Sequence, residues 1–202
     1  MLPLDSLLAW SWMQQHHPEA FVTSRSTISS ESFIEPDLPL ARRGYGEEWY
    51  WAASYACGIP LGEHSQYWHK RFDAQDAERY VDFGKHKGTV QTGEGRYKGY
   101  RVPLTVFLIP KLEWFAVGDM DGVSALVWRI THLGKKGSQG YGAVRRWTVE
   151  PWSEDLSGLR PVPDEAGTEQ SPIRPPYWLN TNNVIVRWPE DGRLACRAIP
   201  GL

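Results

Sequence analysis

Nine consecutive residues, Gly134-Lys135-Lys136-Gly137-Ser138-Gln139-Gly140-Tyr141-Gly142, carry the most readable chemistry in this chain. Four glycines strip side chains from the stretch, so its backbone either approaches another molecule closely or takes positive φ. Lys135 and Lys136 open it, and Arg145 and Arg146 follow just past its end. Bare amides ringed by four cations suit phosphates. A Walker loop is set aside because no Gly-Lys-Ser/Thr triplet is present. A Rossmann loop would open a helix, and Arg145 stands where its third glycine belongs. The direction is also reversed, since this stretch follows a predicted helix and feeds a predicted strand. No nucleotide cofactor is therefore expected. What remains is a structural turn or a backbone clamp for phosphates, and the cationic flanks favour the clamp.

Other residue types offer less. Six histidines are available, His16, His17, His64, His69, His86 and His132. As a general base, His86 is the best placed, between two lysines and near Tyr97 and Lys98 across a predicted hairpin. A histidine in a cationic hairpin also reads as a surface residue or phosphate contact. The carboxylates form no paired motif, and the basic segment lacks the clustered Asp/Glu that a metal-dependent nuclease requires. Cys57 and Cys196 are the only cysteines, far apart and without partners at metal-ligand spacing; they read as buried thiols, with neither disulfide nor metal.

The formal net charge of −2 conceals an asymmetry. Between Gly84 and Arg146 stand eleven Lys/Arg and four Asp/Glu, so this segment carries +7 and the rest −9. A polyanion responds to the local cluster, because screening confines charge effects to about 10 Å. Eleven Trp and nine Tyr are many for 202 residues. Most must serve as core, but some can stack on bases. No apolar run approaches the ~20 residues of a membrane span, and Met1-Leu2-Pro3-Leu4-Asp5 lacks the features of a signal peptide, so a cytoplasmic, non-membrane protein is expected.

The elements that must position these groups follow from periodicity. Leu4, Leu7, Leu8 and Met13, with Asp5 or Ser6 near the start and Pro18 beyond the end, predict a first helix. Residues 21–43 read as a long loop. Trp49 to Ala56 predicts a close-packed strand. Between Tyr80 and Leu108, two polar arms flank Thr92-Gly93-Glu94-Gly95 and predict a hairpin. Period two then places Lys85, Lys87, Thr89 and Gln91 on one face of the first arm, and Arg96, Lys98 and Tyr100 on one face of the second. Leu112 to Val117 predicts a strand. Asp119 or Asp121 caps a helix with Val123, Leu126, Val127 and Ile130 at helical spacing, ending at Leu133. Ala143 to Glu150 predicts a further strand. Eight of the fifteen prolines follow Glu150, leaving loops and one short strand, Asn183 to Trp188. Arg42 and Arg43 beside Gly44-Tyr45-Gly46 form a smaller glycine-and-cation cluster, readable as a solvated turn or as a contact to RNA or a duplex.

The stretch His132 to Val144, continuing through Trp147-Thr148-Val149-Glu150, closely resembles the glycine-rich loop of the RAMP superfamily. Within that superfamily the chain looks like the "Cas-five" subunit of type IV CRISPR effector complexes. Leu4 to Trp10, Trp49 to Ser54, and Tyr67 to Phe72 extend the resemblance, which covers about three quarters of the chain. It implies an α+β, ferredoxin-like (RRM-like) domain over residues 1–150, with a β-hairpin thumb at about 80–108 and a Pro-rich irregular appendage over 151–202. A ferredoxin-like domain begins with a strand, whereas the first helix here starts almost at Met1. The resemblance also implies a non-catalytic role, holding the 5′ handle of the guide RNA (crRNA) beside the backbone (Cas-seven-type) subunits and the large subunit, near the protospacer-adjacent motif of target DNA. The other reading is a metal-independent endoribonuclease that processes repeat RNA. On the binding reading, Gly134, Lys135, Lys136, Gly137, Ser138, Gln139, Gly140, Tyr141 and Gly142 hold handle phosphates. Arg145, Arg146, Lys85, Lys87, Arg96 and Lys98 extend the track, and Tyr141 stacks on a base.

Overall fold

The computed structural model describes residues 2–21, 34–80, 92–134 and 136–189. Leu4, Leu7 and Leu8 recur at helical spacing, and they form the buried face of α1, Leu4–His16. Neither expected polar cap serves it: Pro3 holds the N-cap position without a side-chain hydrogen bond, and Asp5 is buried. Two short strands follow, β1 (Arg42–Arg43) and β2 (Tyr50–Trp51), paired antiparallel. Then come β3 (Gly62–Lys70), α2 (Ala74–Tyr80), β4 (Tyr100–Leu108) and α3 (Met120–Val127). The proline-rich end adds β5 (Val162–Pro163), β6 (Glu169–Pro172) and β7 (Asn183–Arg187), in sheet order β5-β7-β6. The class is α+β, with small antiparallel sheets of two, two and three strands among the described residues.

The chain divides into two compact units, one formed by Met1–Ile59 with Lys111–Leu202 and the other by Pro60–Pro110. In the first, Leu4, Leu8, Leu38, Leu40, Trp51, Val123, Leu126 and Val127 form the core, with Trp49, Trp114 and Trp147 packed against it. Ser11 Oγ donates to the Leu126 carbonyl at 2.8 Å, pinning α1 to α3. Asp119 caps α3 as expected, its side chain accepting from the Gly122 amide at 2.8 Å. The regular helix stops at Val127, short of Leu133, and one further turn carries the chain to Ile130.

Residues 52–57 are the organiser of this unit. They run against 113–117 through bridges Ala53↔Ala116 and Cys57↔Glu113, four residues apart on one side and three on the other. That mismatch is a bulge, and it breaks the predicted 49–56 and 112–117 strands into isolated bridges. Ser54 fills the irregularity, its Oγ accepting from the Phe115 amide at 2.8 Å. Freed from the ladder, the Tyr55 amide donates to the Leu159 carbonyl and the Ala56 amide to the Leu2 carbonyl, at 3.0 and 2.9 Å. Leu2 and the start of the proline-rich segment at Leu159 are thereby tied to one central segment.

The tie at the proline-rich end is Arg160, 1% exposed. Its guanidinium donates to Asp5 Oδ2 at 3.1 Å, the Trp51 carbonyl at 3.1 Å, the Ala53 carbonyl at 2.9 Å, the Ile173 carbonyl, and the Tyr177 hydroxyl at 2.9 Å. Tyr177 in turn donates to Asp5, with oxygens at 2.7 and 2.9 Å. Burial pushes the Asp5 carboxyl up, against the opposing pull of Arg160 and of the Tyr177 and Ser6 hydrogen bonds. Burial and the Asp5 charge push the Tyr177 phenol well up, so it stays protonated and keeps donating. The acid near the start of α1 is therefore a buried counter-ion rather than a cap.

In the second unit, β3 and β4 pair along their whole length, from Gly62↔Leu108 to Lys70↔Tyr100. This corrects the predicted hairpin. Among the described residues the strand partner of 100–108 is 62–70, and Tyr80 ends α2 rather than opening an arm. Thr92-Gly93-Glu94-Gly95 leads into a 3-10 turn, Gly95–Tyr97, where Gly95 has φ +67°. Asp73 starts α2 by accepting from the Gln75 and Asp76 amides at 2.9 and 3.2 Å. Residues 81–91, which hold the rest of the predicted first arm, lie outside the described residues.

Candidate nucleic-acid interface

The glycine-rich stretch is a closed loop on a short two-stranded base. Leu133 donates to the Gly142 carbonyl and Val144 to the Thr131 carbonyl, each at 2.8 Å, around the bridge His132↔Ala143. Residues Gly137–Gln139 form a 3-10 turn between. Gly134, Gly140 and Gly142 have φ of +85°, +83° and +67°, the left-handed region that costs other L-residues roughly 1–2 kcal/mol. Gly142 has a second reason to be glycine, because a Cβ there would lie 1.9 Å from the Leu133 carbonyl oxygen. At Gly140 the space is open.

These constraints separate two glycine roles. Gly140→Ala is expected to cost about 1–2 kcal/mol and to leave the loop closed. Gly142→Ala meets a clash as well as strain, so amide hydrogen exchange at Leu133 and Val144 is expected to accelerate at least tenfold more than in Gly140→Ala. Equal protection in the two variants would show that the close approach of Gly142 to Leu133 does not hold the loop.

Exposure and bonding show what the loop offers to a ligand. Gly134, Ser138, Gln139, Gly140 and Gly142 are exposed, while Lys136, Gly137 and Tyr141 are half-buried. Amides of Gln139, Gly140 and Tyr141 are spent inside the loop, on the Lys136 carbonyl at 3.0 and 3.3 Å and on Gly137 at 2.9 Å. Arg145 and Arg146 are exposed, with no ion pair among the described residues. Lys135 lies outside the described residues.

The predicted strand 143–150 forms no ladder among the described residues beyond the bridge at Ala143. It is held by side chains instead. Trp147 Nε1 donates to the Ile130 carbonyl at 2.8 Å, its ring lies 5.6 Å from that of Trp114, and Val149 packs on the core. With Trp147 turned inward, the adjacent arginines are left in solvent. Sequence reading passed over Arg129, an exposed cation two residues before the loop's base at Thr131. Its place at the end of α3 was the available signal.

In the hairpin unit, Lys98 is exposed and the Arg96 backbone lies in the 3-10 turn. Lys85, Lys87 and the candidate base His86 lie outside the described residues. The hairpin surface that is described carries an unanticipated aromatic-cation pair, with Arg101 stacked 3.8 Å over the Tyr67 ring centroid. These two residues sit on strand neighbours of the same face, since His69 pairs with Arg101 and Tyr67 with Pro103.

The family model for "CRISPR type IV associated protein Csf3" matches residues 1–189. The chain belongs to the Csf3 family. The match includes the loop, its arginine flank and most of the proline-rich end, so the resemblance carried by residues 132–150 holds at the level of family. No curated protein matches the chain. Among the described residues of this Csf3 family member, no helix is long and apolar enough to cross a membrane, and no three His, Cys, Asp or Glu gather as metal ligands.

Proposed function

We propose that this Csf3 family chain is the non-catalytic, Cas-five-like RAMP subunit that caps the 5′ handle of the guide RNA in a type IV CRISPR complex. The observation that carries the reading is the exposed loop closed by Gly142, with Arg145 and Arg146 in solvent beside it. Because three of its amides are spent internally, the grip rests on charge: Lys135, Lys136, Arg145 and Arg146 hold phosphates, and Arg129 joins them. Amides earlier in the loop, at Gly137 and Ser138, supply direct hydrogen bonds. Tyr141 stacks on an unpaired base, a contact worth about 1–3 kcal/mol. Lys85, Lys87, Arg96 and Lys98 supply further phosphate contacts from the hairpin unit, the thumb of the fold. The same reading places backbone and large subunits as neighbours, with target DNA near the protospacer-adjacent motif.

The order α1, paired segments 52–57 and 113–117, α3, glycine loop and extended 143–150 supports a ferredoxin-like plan with the hairpin inserted between its paired central strands. RNA cleavage has less support. A base must reach the 2′-hydroxyl with partners at hydrogen-bond distance. Among the described residues His132, at the base of the loop, has Thr131 Oγ1 as its side-chain hydrogen-bond partner, at 3.1 Å, and no second acid or base is bonded to it.

The test incubates the purified full chain with handle-bearing RNA in chelator. The expected result is a shifted, intact RNA, unchanged in His86→Ala and His132→Ala. Sequence-specific cutting lost in His86→Ala would replace the capping role with an endoribonuclease. Absence of any shift at low salt would remove RNA binding altogether.

A further inference from the structure

Tyr45 is 93% exposed, and among the described residues its side chain makes no hydrogen bond or ring contact. Its mounting is the opposite of loose. Gly44 and Gly46 on either side have φ of +87° and +54°, and a Cβ on Gly44 would lie 2.4 Å from the Glu48 carbonyl oxygen. The Glu48 amide closes the turn on the Tyr45 carbonyl at 3.0 Å. Beneath it, β1 and β2 pair Arg42↔Trp51 and Arg43↔Tyr50. Trp49 is gripped by two guanidinium groups, Arg42 at 4.2 Å and Arg174 at 4.7 Å from its ring centroid. Arg174 also donates to the Glu47 and Trp49 carbonyls at 2.7 and 2.9 Å. The fold thus invests a double-glycine turn and two cation-aromatic contacts in holding a ring that it does not itself use.

The charges around that ring decide what it meets. Arg42 is paired with Glu35 at 2.7 Å, and Arg43 is paired with Asp155. Ser157 and Arg43 hold the Asp155 carboxyl below its ordinary range, which keeps that second pair ionised. Glu47 and Glu48, exposed within three residues of Tyr45, have no ion pair among the described residues. Three arginines therefore face four carboxylates around the turn. Arg174 acts electrostatically on Glu47, so the turn carries an excess of one carboxylate, which repels a phosphate chain and attracts a basic protein surface.

We propose that the Gly44-Tyr45-Gly46 turn is a protein-docking knob. Tyr45 inserts into an apolar slot rimmed by Lys or Arg on a companion protein of the type IV complex, and Glu47 and Glu48 pair with that rim. A tyrosine presented rigidly loses little freedom on binding and makes a large amphipathic contact, the two features of an interface hot spot. On this proposal the 42–46 cluster meets protein rather than RNA or a duplex, its two cations being paired with Glu35 and Asp155. The knob rests on the complex membership proposed above and not on the RNA grip.

The test uses complex purified from cells producing the full chain, the guide RNA and the companion proteins. A benzophenone amino acid in place of Tyr45 is expected to crosslink on irradiation to one companion, at a peptide containing Lys or Arg. Tyr45→Ala should lower recovery of that companion about tenfold or more, and Tyr45→Phe should retain it. Glu47→Lys with Glu48→Lys should weaken recovery most at low salt. Affinity of the isolated chain for handle RNA should be unchanged in all of them. Crosslinking to RNA or DNA, crosslinking to a second copy of this chain, or undiminished recovery with Tyr45→Ala would each overturn the knob. Loss of the RNA grip with the crosslink intact would instead sink only the capping role.

Discussion

Arg160→Met is expected to lower the midpoint of thermal unfolding by about 6–20 °C. The figure follows from the cost of removing one partner of a buried pair, roughly 3–5 kcal/mol, at about 2–4 °C per kcal/mol for a chain of this size. Methionine fills much of the volume, so the loss measures polar groups rather than a cavity. Asp5 would keep the Tyr177 hydrogen bond but lose its cation, and the Trp51, Ala53 and Ile173 carbonyls would lose a buried donor. Arg160 Nε has no partner among the described residues, so the site already carries one buried unsatisfied donor. Adding Asp5→Leu and Tyr177→Phe removes the stranded charge and hydroxyl and should recover part of the loss. It cannot recover all of it, because the three carbonyls belong to the backbone. A fall under about 3 °C in the single variant, followed by tryptophan fluorescence, would show that Arg160 does not lock the proline-rich end to α1.

That lock marks where sequence reading stopped. α1 and α3 were legible because Leu4, Leu7, Leu8 and Val123, Leu126, Val127 recur at helical spacing, and Asp119 capped α3 as its type suggests. β7 was legible from its run of β-branched residues, Val184, Ile185 and Val186, between turn residues. Arg160 left no comparable trace, since an arginine among prolines in a polar stretch ordinarily reads as exposed. β3 was missed for a related reason. Both of its faces are largely exposed, so Gly62 to Lys70 shows no alternation of burial for a period of two to register. The Thr92 to Gly95 turn signal was genuine chemistry, because Gly95 takes positive φ at the start of a 3-10 turn, but it carried no hint that 100–108 pairs with 62–70. At the loop the glycines and arginines were legible by type. What no spacing could convey is that Gly142 is held by Leu133, or that Trp147 turns inward and leaves Arg145 and Arg146 outside.

Lys135→Glu with Lys136→Glu is expected to weaken handle binding by about one to two orders of magnitude near physiological salt. With five phosphates neutralised on single-stranded RNA, the slope of log K against log salt is about −3.5, so doubling the salt weakens the native chain roughly tenfold. Removing two of those contacts should flatten the slope by about 1.4, and the two added carboxylates repel the remaining phosphates. The slope separates charge from fold, because a misfolded loop would lose affinity without leaving a smaller, still measurable salt dependence. Arg145→Ala with Arg146→Ala should act in the same direction, since both side chains are exposed and the inward Trp147 between them and the core is untouched. Thermal midpoints in both double variants should stay within a few degrees of the native chain. Native affinity and native slope in the lysine variant would remove the loop from the RNA path, and the grip would then have to lie with Lys98 and its neighbours in the hairpin unit. A loop that binds through charge also predicts indifference to sequence in the phosphates it holds, so any preference among handle RNAs should vanish with Tyr141→Ala while the salt slope stays.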